Sequence, residues 1–361
     1  MKAVVVKEPG VVEVQDVPEP ESYPDEIKIK IAYAGICGGD PGKIIRGLDG
    51  MLPHQEGAIG WLKKTTTLRD EITGREIRDR IGKGILGHEA SGTIVKIGKD
   101  IRGDFKVGQR VAMNYRSTCG ACYYCTNGMA QYCERVAPQS GAMTEYSVYR
   151  ESLVFSLPDD VSLDIGAFLE PLSIAVQTLD ISRMKIGDSV IITGGGSIGL
   201  LILQLAIKSG ASKVIVSEPI AEKRKMAKQL GADVIVDPLK EDLLEISNKV
   251  TDGRGYNLCF ETSGKMAVAR QLILLAGLSG TIVWVASYPQ TLNMEFPMSY
   301  VHLRALNIHS VLPSAYSFSR ALQMLPKLDL KPLITVYPLT EAIKAFEAHK
   351  IGKDVKIMLQ P

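Results

Sequence analysis

The pattern of hydrophobic positions changes near residue 160 of the chain. Up to about residue 155, short runs rich in Val and Ile, such as residues 2–6, 27–34 and 93–97, are separated by Gly and Pro. This pattern predicts a β-rich region. Beyond it, apolar strand-like runs alternate with helical segments, beginning with a helix over residues 167–179. The alternation predicts a doubly wound parallel sheet, so the expected fold class is α/β with a β-rich first domain.

The predicted elements define three sequence regions. Strands are predicted over residues 190–193, 213–217, 234–236, 258–260, 281–286 and 355–359. Helices are predicted over residues 221–230, 243–250, 266–276 and 341–349, the last with Thr340 as its N-cap. We place the domains at residues 1–155, 156–299 and 300–361. The third region has either to rejoin the first domain or to stand alone.

A glycine-rich turn joins the first strand of the alternating region to the next helix. Its sequence, SVIITGGGSIG over residues 189–199, fits the pattern G-x-G-x-x-G. In such a turn one glycine makes the bend, one lets the backbone approach a pyrophosphate, and one allows the helix to pack on the strand. The helix N-terminus supplies N–H groups for the phosphates. The predicted dinucleotide-binding residues of this turn are Gly194, Gly196, Ser197, Ile198 and Gly199.

Glu218 ends the second strand of this region, 19 positions after Gly199. A carboxylate there accepts hydrogen bonds from the ribose hydroxyls of NAD and repels the additional phosphate of NADP. The next helix carries the basic run Lys223, Arg224 and Lys225. These residues form either the polar face of the helix or a site for NADP, so Lys223 is also a candidate cofactor residue. NAD is the favoured cofactor.

Composition narrows the class of protein. The chain has 361 residues, enough for about two domains, with 45% hydrophobic and 23% charged residues and a net charge of +2. This balance favours neither nucleic acid nor membrane as a partner. The apolar run in the first ten residues, MKAVVVKEPG, is too short for a signal peptide and is followed by polar residues. No apolar run in the sequence approaches the length of a membrane span. We therefore expect a cytoplasmic protein.

Four of the six cysteines are close together in the sequence. Cys119, Cys122, Cys125 and Cys133 have the spacing C-x2-C-x2-C-x7-C. Four thiolates on one short loop match the closed tetrahedral shell of a structural zinc, which leaves no position for substrate. An iron–sulfur cluster and unliganded thiols are the alternatives.

A second set of metal-ligating residue types is dispersed. It comprises Cys37 in GICGGD, His88 and Glu89 in GHE, and Glu170 in LEPL. Taken singly, each has an ordinary explanation, because a lone cysteine is usually a small buried apolar group and His–Glu pairs are common on surfaces. Together, a thiolate, an imidazole and carboxylates suit zinc with one coordination position left open.

The order of these motifs resembles that of the zinc-dependent medium-chain dehydrogenases, especially the branch of sorbitol, threonine and related polyol dehydrogenases. The resemblance implies a GroES-like β domain, an inserted Rossmann domain and a C-terminal segment that returns to the first domain. It also implies that Cys37, His88 and one of Glu89 or Glu170 hold a catalytic zinc. The implied reaction is hydride transfer between a secondary alcohol of a polyol, sugar or cyclitol and NAD(P), in a homodimer or homotetramer.

Gly39 departs from the family pattern. The residue two positions after the ligand cysteine is commonly Ser or Thr, whose hydroxyl begins a proton relay, and the relay histidine is also absent here. Proton removal would then use water, Tyr115 or a residue of the insertion described next. Otherwise the reaction is not simple alcohol oxidation.

The interval between Cys37 and His88 is 51 positions, about twice that expected from the family. The excess falls in about residues 47–84, which contain His54, Trp61 and a mixed run of charges. This insertion is either a solvated excursion or oligomer arm, or a lid over the substrate that contributes His54 or an arginine.

Alternatives remain open for the substrate and for the class of function. Lys43, Arg46 and Arg116 lie near motif cysteines, so they either bind an anionic sugar or are merely solvated. A zinc-independent enoyl or quinone reductase of the same superfamily is one alternative function. A non-enzymatic nucleotide-binding protein is another, favoured only by Gly39. A nucleic-acid role lacks a basic patch.

Overall fold

The computed structural model describes residues 1–46, 84–134, 137–138, 141–288, 293–312 and 316–361. Except for Gly84, the predicted insertion lies outside these residues, together with His54 and Trp61. The chain forms two compact units. The first comprises Met1–Glu170, Ser314–Ile351 and Lys356–Pro361, and the second comprises Pro171–Pro313 and Gly352–Val355.

The bounds of the units differ from those expected at residues 155 and 299. The first unit continues to Glu170 because the helix Leu163–Gly166 packs against its sheet. The second unit continues to Pro313 because the strand Asn307–Ser310, which no sequence pattern predicted, pairs with the strand before it.

The first unit is built on β-strands. Its strands up to the boundary are β1 (Lys2–Glu8), β2 (Val11–Asp16), β3 (Glu26–Gly35), β4 (Glu89–Ile97), β5 (Arg110–Met113), β6 (Arg116–Ser117), β7 (Ala137–Pro138), β8 (Tyr146–Arg150) and β9 (Val154–Ser156). Its helices there are α1 (Asp40–Arg46), α2 (Tyr123–Thr126) and α3 (Leu163–Gly166), and α4 (Leu169–Ser182) follows. Val and Ile side chains of β1, β3, β4 and β5 form its buried core.

The second unit alternates strands with helices, as the sequence predicted. Its strands are β10 (Ser189–Thr193), β11 (Lys213–Ser217), β12 (Val234–Val236), β13 (Tyr256–Glu261), β14 (Ala276–Trp284) and β15 (Asn307–Ser310). Its helices are α5 (Ser197–Lys208), α6 (Ala221–Gln229), α7 (Leu243–Thr251), α8 (Met266–Leu275) and α9 (Met298–Leu303). The strands form one parallel sheet in the order β12-β11-β10-β13-β14-β15, which confirms the doubly wound fold.

The C-terminal part of the chain adds two strands to the large sheet of the first unit. Its elements are α10 (Ser317–Met324), β16 (Ile334–Pro338), α11 (Ala342–Ile351) and β17 (Lys356–Gln360). The sheet has the order β16-β17-β3-β4-β5-β9, with β8 also paired to β3. β17 runs antiparallel to β3, with Met358 opposite Gly35. Lys356 is thereby placed near the end of β3.

The predicted strand 281–286 begins earlier, at Ala276, which was assigned to the helix before it. Two further differences concern the last helix and the first strand. The last helix was expected to begin after an N-cap at Thr340, but residues Leu339–Glu341 form a 3-10 turn and the α-helix begins at Ala342. β1 was expected to stop before Lys7, but it continues to Glu8, which pairs with Val11 after a register shift. In both places backbone pairing or packing overrode a local sequence signal.

Candidate metal centres and cofactor site

Antiparallel pairing of β3 with β4 brings the dispersed ligand candidates together. Gly35 at the end of β3 lies opposite Glu89 at the start of β4, so Cys37 lies beside His88 and Glu89 although 51 positions separate it from His88. One ligand atom from each of Cys37, His88 and Glu89 lies within 4.8 Å of the others. His88 and Glu89 are buried, and Cys37 is partly buried. These three residues form the first candidate metal group.

Glu170 lies close to this group but outside it. It stands in the first turn of α4 and is buried. The pKa of the Cys37 thiol is raised by burial and then by the charges of Glu89, Asp40 and Glu170, while Lys356 opposes the rise. Glu170 is therefore near enough to act on the thiol electrostatically.

Asp40 supports two members of the metal group, and no sequence pattern singled it out. It is fully buried, its Oδ2 accepts a hydrogen bond of 2.9 Å from the Cys37 amide, and its Oδ1 lies 3.6 Å from His88 Nδ1. A carboxylate behind a ligand histidine fixes the orientation of the ring. The only sequence signal for this role was the position of Asp40, three residues after Cys37 in the motif GICGGD.

Lys356 is the second supporting residue that sequence reasoning missed. Its side chain is 2% exposed, and its ammonium donates hydrogen bonds to Glu89 Oε2 and, at 3.1 Å, to the carbonyl of Ile36. A Cβ atom at Gly35 would collide with Glu89 Oε2 and the Lys356 side chain, so glycine leaves the space that the pair occupies. Burial lowers the pKa of Lys356, but Glu89 and Cys37 raise it more, so the lysine stays charged.

The donor set fits zinc. Burial disfavours the Cys37 thiolate most, and the nearby carboxylates of Glu89, Asp40 and Glu170 add to this effect against the opposing charge of Lys356. A divalent cation supplies the missing positive charge. One thiolate, one imidazole and a carboxylate leave the fourth tetrahedral position open.

Tyr115 and Gly39 lie near the group of Cys37, His88 and Glu89. The Tyr115 ring lies 4.9 Å from the His88 ring at an interplanar angle of 57°. A Cβ atom at Gly39 would meet only the Cys37 sulfur, at 3.9 Å, among the described residues. Gly39 also has no positive φ, so neither the backbone nor the packing of the described residues requires glycine there.

The four clustered cysteines form the second candidate metal group. Their sulfurs lie within 4.8 Å of one another, and none is in a disulfide. The amides of Cys119 and Cys122 donate to the sulfurs of Cys133 and Cys119, both at 3.3 Å. Burial opposes ionisation of Cys119, but hydrogen bonds from the Ala121 and Cys122 backbone and from neighbouring thiols lower its pKa to about 6. This donor set fits a closed structural zinc.

Arg116 belongs to the lobe of the four cysteines. Its guanidinium donates a hydrogen bond of 2.9 Å to the carbonyl of Gln131, two residues before Cys133 in the sequence. This contact gives Arg116 a structural task, which neither of its two sequence-based alternatives, anion binding or solvation, included. The side chains of Lys43 and Arg46, the other two candidates, lie outside what the structure describes.

The glycine turn has the geometry that a pyrophosphate site requires. Gly194 has φ +109°, in the region that favours glycine, and a Cβ atom at Gly199 would collide with the Gly194 carbonyl. A Cβ atom at Gly196 would meet nothing within 4 Å, so the backbone there is open to a ligand. α5 begins at Ser197 with Ile198 in its first turn. The first amide groups of a helix have no partner within the helix and are available to a phosphate.

Glu218 lies directly beyond β11, next to the glycine turn. It is buried, its Oε2 accepts a hydrogen bond of 2.6 Å from the Gly195 amide, and its Oε1 accepts one of 2.8 Å from the Ile220 amide. Arg224 donates to the Glu218 carbonyl and pairs with Asp237, both at 2.8 Å. Arg224 is thus committed to protein contacts. Burial lowers the pKa of Lys223, and the charges of Glu218 and Asp354 oppose that change.

A parallel sheet with this glycine turn, together with a buried thiol–imidazole–carboxylate group, defines an oxidoreductase that uses a nicotinamide dinucleotide and a metal. Residues 197–327 match the family model of the zinc-binding dehydrogenases, and residues 23–159 match that of the alcohol dehydrogenase GroES-like domain. The chain belongs to the zinc-dependent medium-chain dehydrogenase family. This membership confirms the expected enzyme class, with zinc and NAD(P) as its cofactors.

Similar proteins include several with named activities. D-arabitol-phosphate dehydrogenase of Enterococcus avium is 31% identical over 100% of this chain and 97% of its own length. Sorbitol dehydrogenase of Halalkalibacterium halodurans is 30% identical over 100% of this chain and 99% of its own length. A zinc-binding dehydrogenase structure from Sinorhizobium meliloti, bound to NADP, is 28% identical with a TM-score of 0.86, covering 100% of this chain and 99% of that one.

No helix among the described residues has the length and apolar character needed to cross a membrane.

Proposed function

We propose that the protein oxidises a secondary alcohol of a polyol, sugar or cyclitol, with NAD as the hydride acceptor. The observation that carries the proposal is the group of Cys37, His88 and Glu89, whose ligand atoms lie within 4.8 Å of one another. The relatives named for arabitol phosphate and sorbitol support a polyhydroxylated substrate.

The catalytic zinc is held by Cys37, His88 and a carboxylate. Glu89 is the carboxylate in the compact group, and the buried Glu170 is the alternative. Zinc bound there supplies a Lewis acid that polarises the substrate oxygen and lowers the pKa of its hydroxyl. Asp40 holds the Cys37 loop and the His88 ring, and Lys356 holds Glu89.

The substrate proton leaves by a route without a hydroxyl at position 39. Burial, and then the charges of Glu170, Cys37 and Glu89, raise the pKa of Tyr115, whereas Arg116 opposes the rise. Tyr115 therefore keeps its own proton and acts as a hydrogen-bond donor toward the substrate, not as the base. Water or a residue of the 47–84 insertion accepts the proton.

The second metal group is structural. Cys119, Cys122, Cys125 and Cys133 hold a zinc with no open position, which ties the loop around α2 into one compact lobe. A protein with both groups intact should contain about two zinc ions per chain. One zinc per chain, with Cys37 and His88 dispensable for activity, would favour the zinc-independent reductase instead.

The preferred cofactor is NAD. The Glu218 carboxylate accepts hydrogen bonds from the ribose hydroxyls and repels a 2′-phosphate. The repulsion between two unit charges 4 Å apart is about 1 kcal/mol in water and about 4 kcal/mol at an effective dielectric constant of 20. The NADP-bound relative makes a direct comparison of both cofactors necessary. The charge of Glu218 acts on the Lys223 ammonium, so Lys223 is near this carboxylate and is a second cofactor contact.

The assembly is a homodimer or homotetramer. β15 is the last strand in the order of its sheet, and near it Leu303 and Met298 are 79% and 68% exposed. An edge strand with apolar neighbours favours pairing with a second copy. Light scattering after gel filtration measures this, and a monomer at micromolar concentration would overturn it. The free thiols of the described cysteines favour a reducing compartment, so we place the protein in the cytoplasm.

The decisive test is a substrate screen on protein of measured zinc content. Neutral and phosphorylated sugars, polyols and cyclitols are each incubated with NAD or NADP, and reduced cofactor is followed by absorbance. We expect a polyol or its phosphate to be oxidised with NAD. Absence of turnover with every polyhydroxylated substrate, in protein that contains both zinc ions, would overturn the proposal.

A further inference from the structure

The direction of the cofactor across the second unit follows from the strand order. The order reverses between β10 and β13, and a dinucleotide binds across the crevice at such a reversal. The glycine turn after β10 takes the pyrophosphate, and Glu218 after β11 takes the adenosine ribose. The nicotinamide half therefore extends over the carboxyl ends of β13 and β14.

A fully buried carboxylate, Glu261, lies at this end of β13. It accepts hydrogen bonds from the amides of Ser263, at 2.7 Å, and Gly264, at 3.1 Å, and from the hydroxyls of Ser263 and Tyr288. All of these donors are neutral. A buried carboxylate is retained only where such donors replace its hydration, so the loss of one is costly.

The same residue holds the segment that follows β14. The Glu261 carbonyl accepts hydrogen bonds from the amides of Val285, at 2.9 Å, and Ala286, at 3.2 Å. Tyr288, the last described residue of this segment, adds its hydroxyl to the Glu261 carboxylate. Segment 285–288 is thus attached to the end of β13 through both the backbone and a side chain.

The neighbouring residue Thr262 connects this arrangement to the glycine turn. Its hydroxyl lies 2.9 Å from the Thr193 carbonyl and 3.0 Å from the Gly194 carbonyl. The end of β13 therefore contacts the pyrophosphate turn on one side and segment 285–288 on the other. A displacement of segment 285–288 would change the surface that is available to the nicotinamide half of the cofactor.

We propose that Tyr288 and Glu261 form a cofactor-positioning pair, which holds segment 285–288 as the wall that the nicotinamide riboside contacts. The proposal rests on the proposed use of a nicotinamide cofactor. Tyr288 acts through Glu261 and the backbone of its segment, so it is a positioning residue. In Tyr288→Phe the segment loses its side-chain attachment and has to be ordered by the cofactor itself, which lowers affinity.

The test compares two ligands that share the adenosine half. The dissociation constants of NADH and of ADP-ribose, which lacks the nicotinamide, are measured by titration for the wild type and the variants. Tyr288→Phe should weaken NADH about tenfold, the equivalent of 1.4 kcal/mol, and leave ADP-ribose unchanged. Glu218→Gln should weaken both ligands.

Tyr300→Phe is the matched control. Tyr300 also lies in the second unit, and its hydroxyl donates to the Leu274 carbonyl. Its removal should change neither affinity. Hydrogen exchange at the amides of Val285 and Ala286 provides a second measurement, with faster exchange in unliganded Tyr288→Phe than in the wild type.

Two results would overturn the pair. One is unchanged NADH affinity in Tyr288→Phe, and the other is an equal loss for NADH and ADP-ribose, which would indicate a general structural role. Wild-type protein that binds neither NADH nor NADPH would refute the proposed function as well, so the two failures are distinguishable.

Discussion

The Lys356 ammonium donates a hydrogen bond to the Glu89 carboxylate in the interior of the first unit, 267 residues away in the sequence. Both side chains are almost completely buried. The pair joins the C-terminal strand to a candidate zinc ligand, so folding of that strand and charge balance at the metal group depend on each other.

Lys356→Met should destabilise the metal-free protein more than the zinc-loaded protein. Removal of one partner of a buried pair costs about 3–5 kcal/mol because the other charge is left uncompensated. Zinc replaces part of the lost positive charge. Denaturation midpoints measured with zinc and with a chelator report the difference, and Lys356→Arg should retain most of the stability.

Lys353→Met is the control for that experiment. Lys353 is largely exposed and lies 4.0 Å from Glu222, an arrangement that contributes about 0–1 kcal/mol. A loss for Lys356→Met that is the same with and without zinc would contradict a role in charge balance.

Gly39→Ser should leave the protein folded and active, with kcat/KM equal to or above that of the wild type. A Cβ atom at position 39 meets only the Cys37 sulfur, at 3.9 Å, among the described residues, and serine adds a hydroxyl next to the metal group. Steady-state kinetics and zinc content are measured together. Complete loss of activity in a folded, zinc-loaded variant would show that the open space itself is required.

Cys119 should be alkylated before Cys37 when zinc is removed. The thiolate is the reactive form, and the pKa of Cys119 is lowered to about 6, whereas burial and nearby carboxylates raise that of Cys37. At pH 7 Cys119 is therefore largely ionised, and its rate should fall as the pH decreases through 6. Mass spectrometry of iodoacetamide-treated protein identifies the site.

Zinc should protect Cys119 from iodoacetamide. Cys259 is the internal comparison, because it is fully buried, its pKa is raised by burial, and it belongs to neither metal group. Preferential modification of Cys37 or Cys259 would contradict the assignment of the reactive thiol.

Glu218→Gln should reduce the preference for NAD over NADP. The variant keeps a side chain of similar shape but removes the charge that repels the 2′-phosphate. From the Coulomb range of about 1–4 kcal/mol, the ratio of the two kcat/KM values should fall several-fold to several-hundred-fold. Lys225→Gln, at an exposed position of α6, should leave the ratio unchanged. A wild-type preference for NADP would contradict the proposed role of Glu218.

Local patterns were sufficient for much of the second unit. The strand Lys213–Ser217 and the short strand Val234–Val236 lie where the sequence predicted them. Helix α6 ends within one residue of its predicted end. These elements are defined by hydrophobic runs and glycines that are neighbours in the chain. β15 escaped prediction because its four residues have no distinctive pattern, and only pairing with β14 makes them a strand.

The sequence by itself determined the fold class, the glycine turn and the four-cysteine loop, because their defining residues lie within a few positions of one another. Only the tertiary structure decided which distant residues share a site. The register of Gly35 opposite Glu89 brings Cys37 to His88, and the pairing of β17 with β3 brings Lys356 to Glu89. Such contacts depend on backbone hydrogen bonds between strands far apart in the chain, and no local periodicity encodes that register.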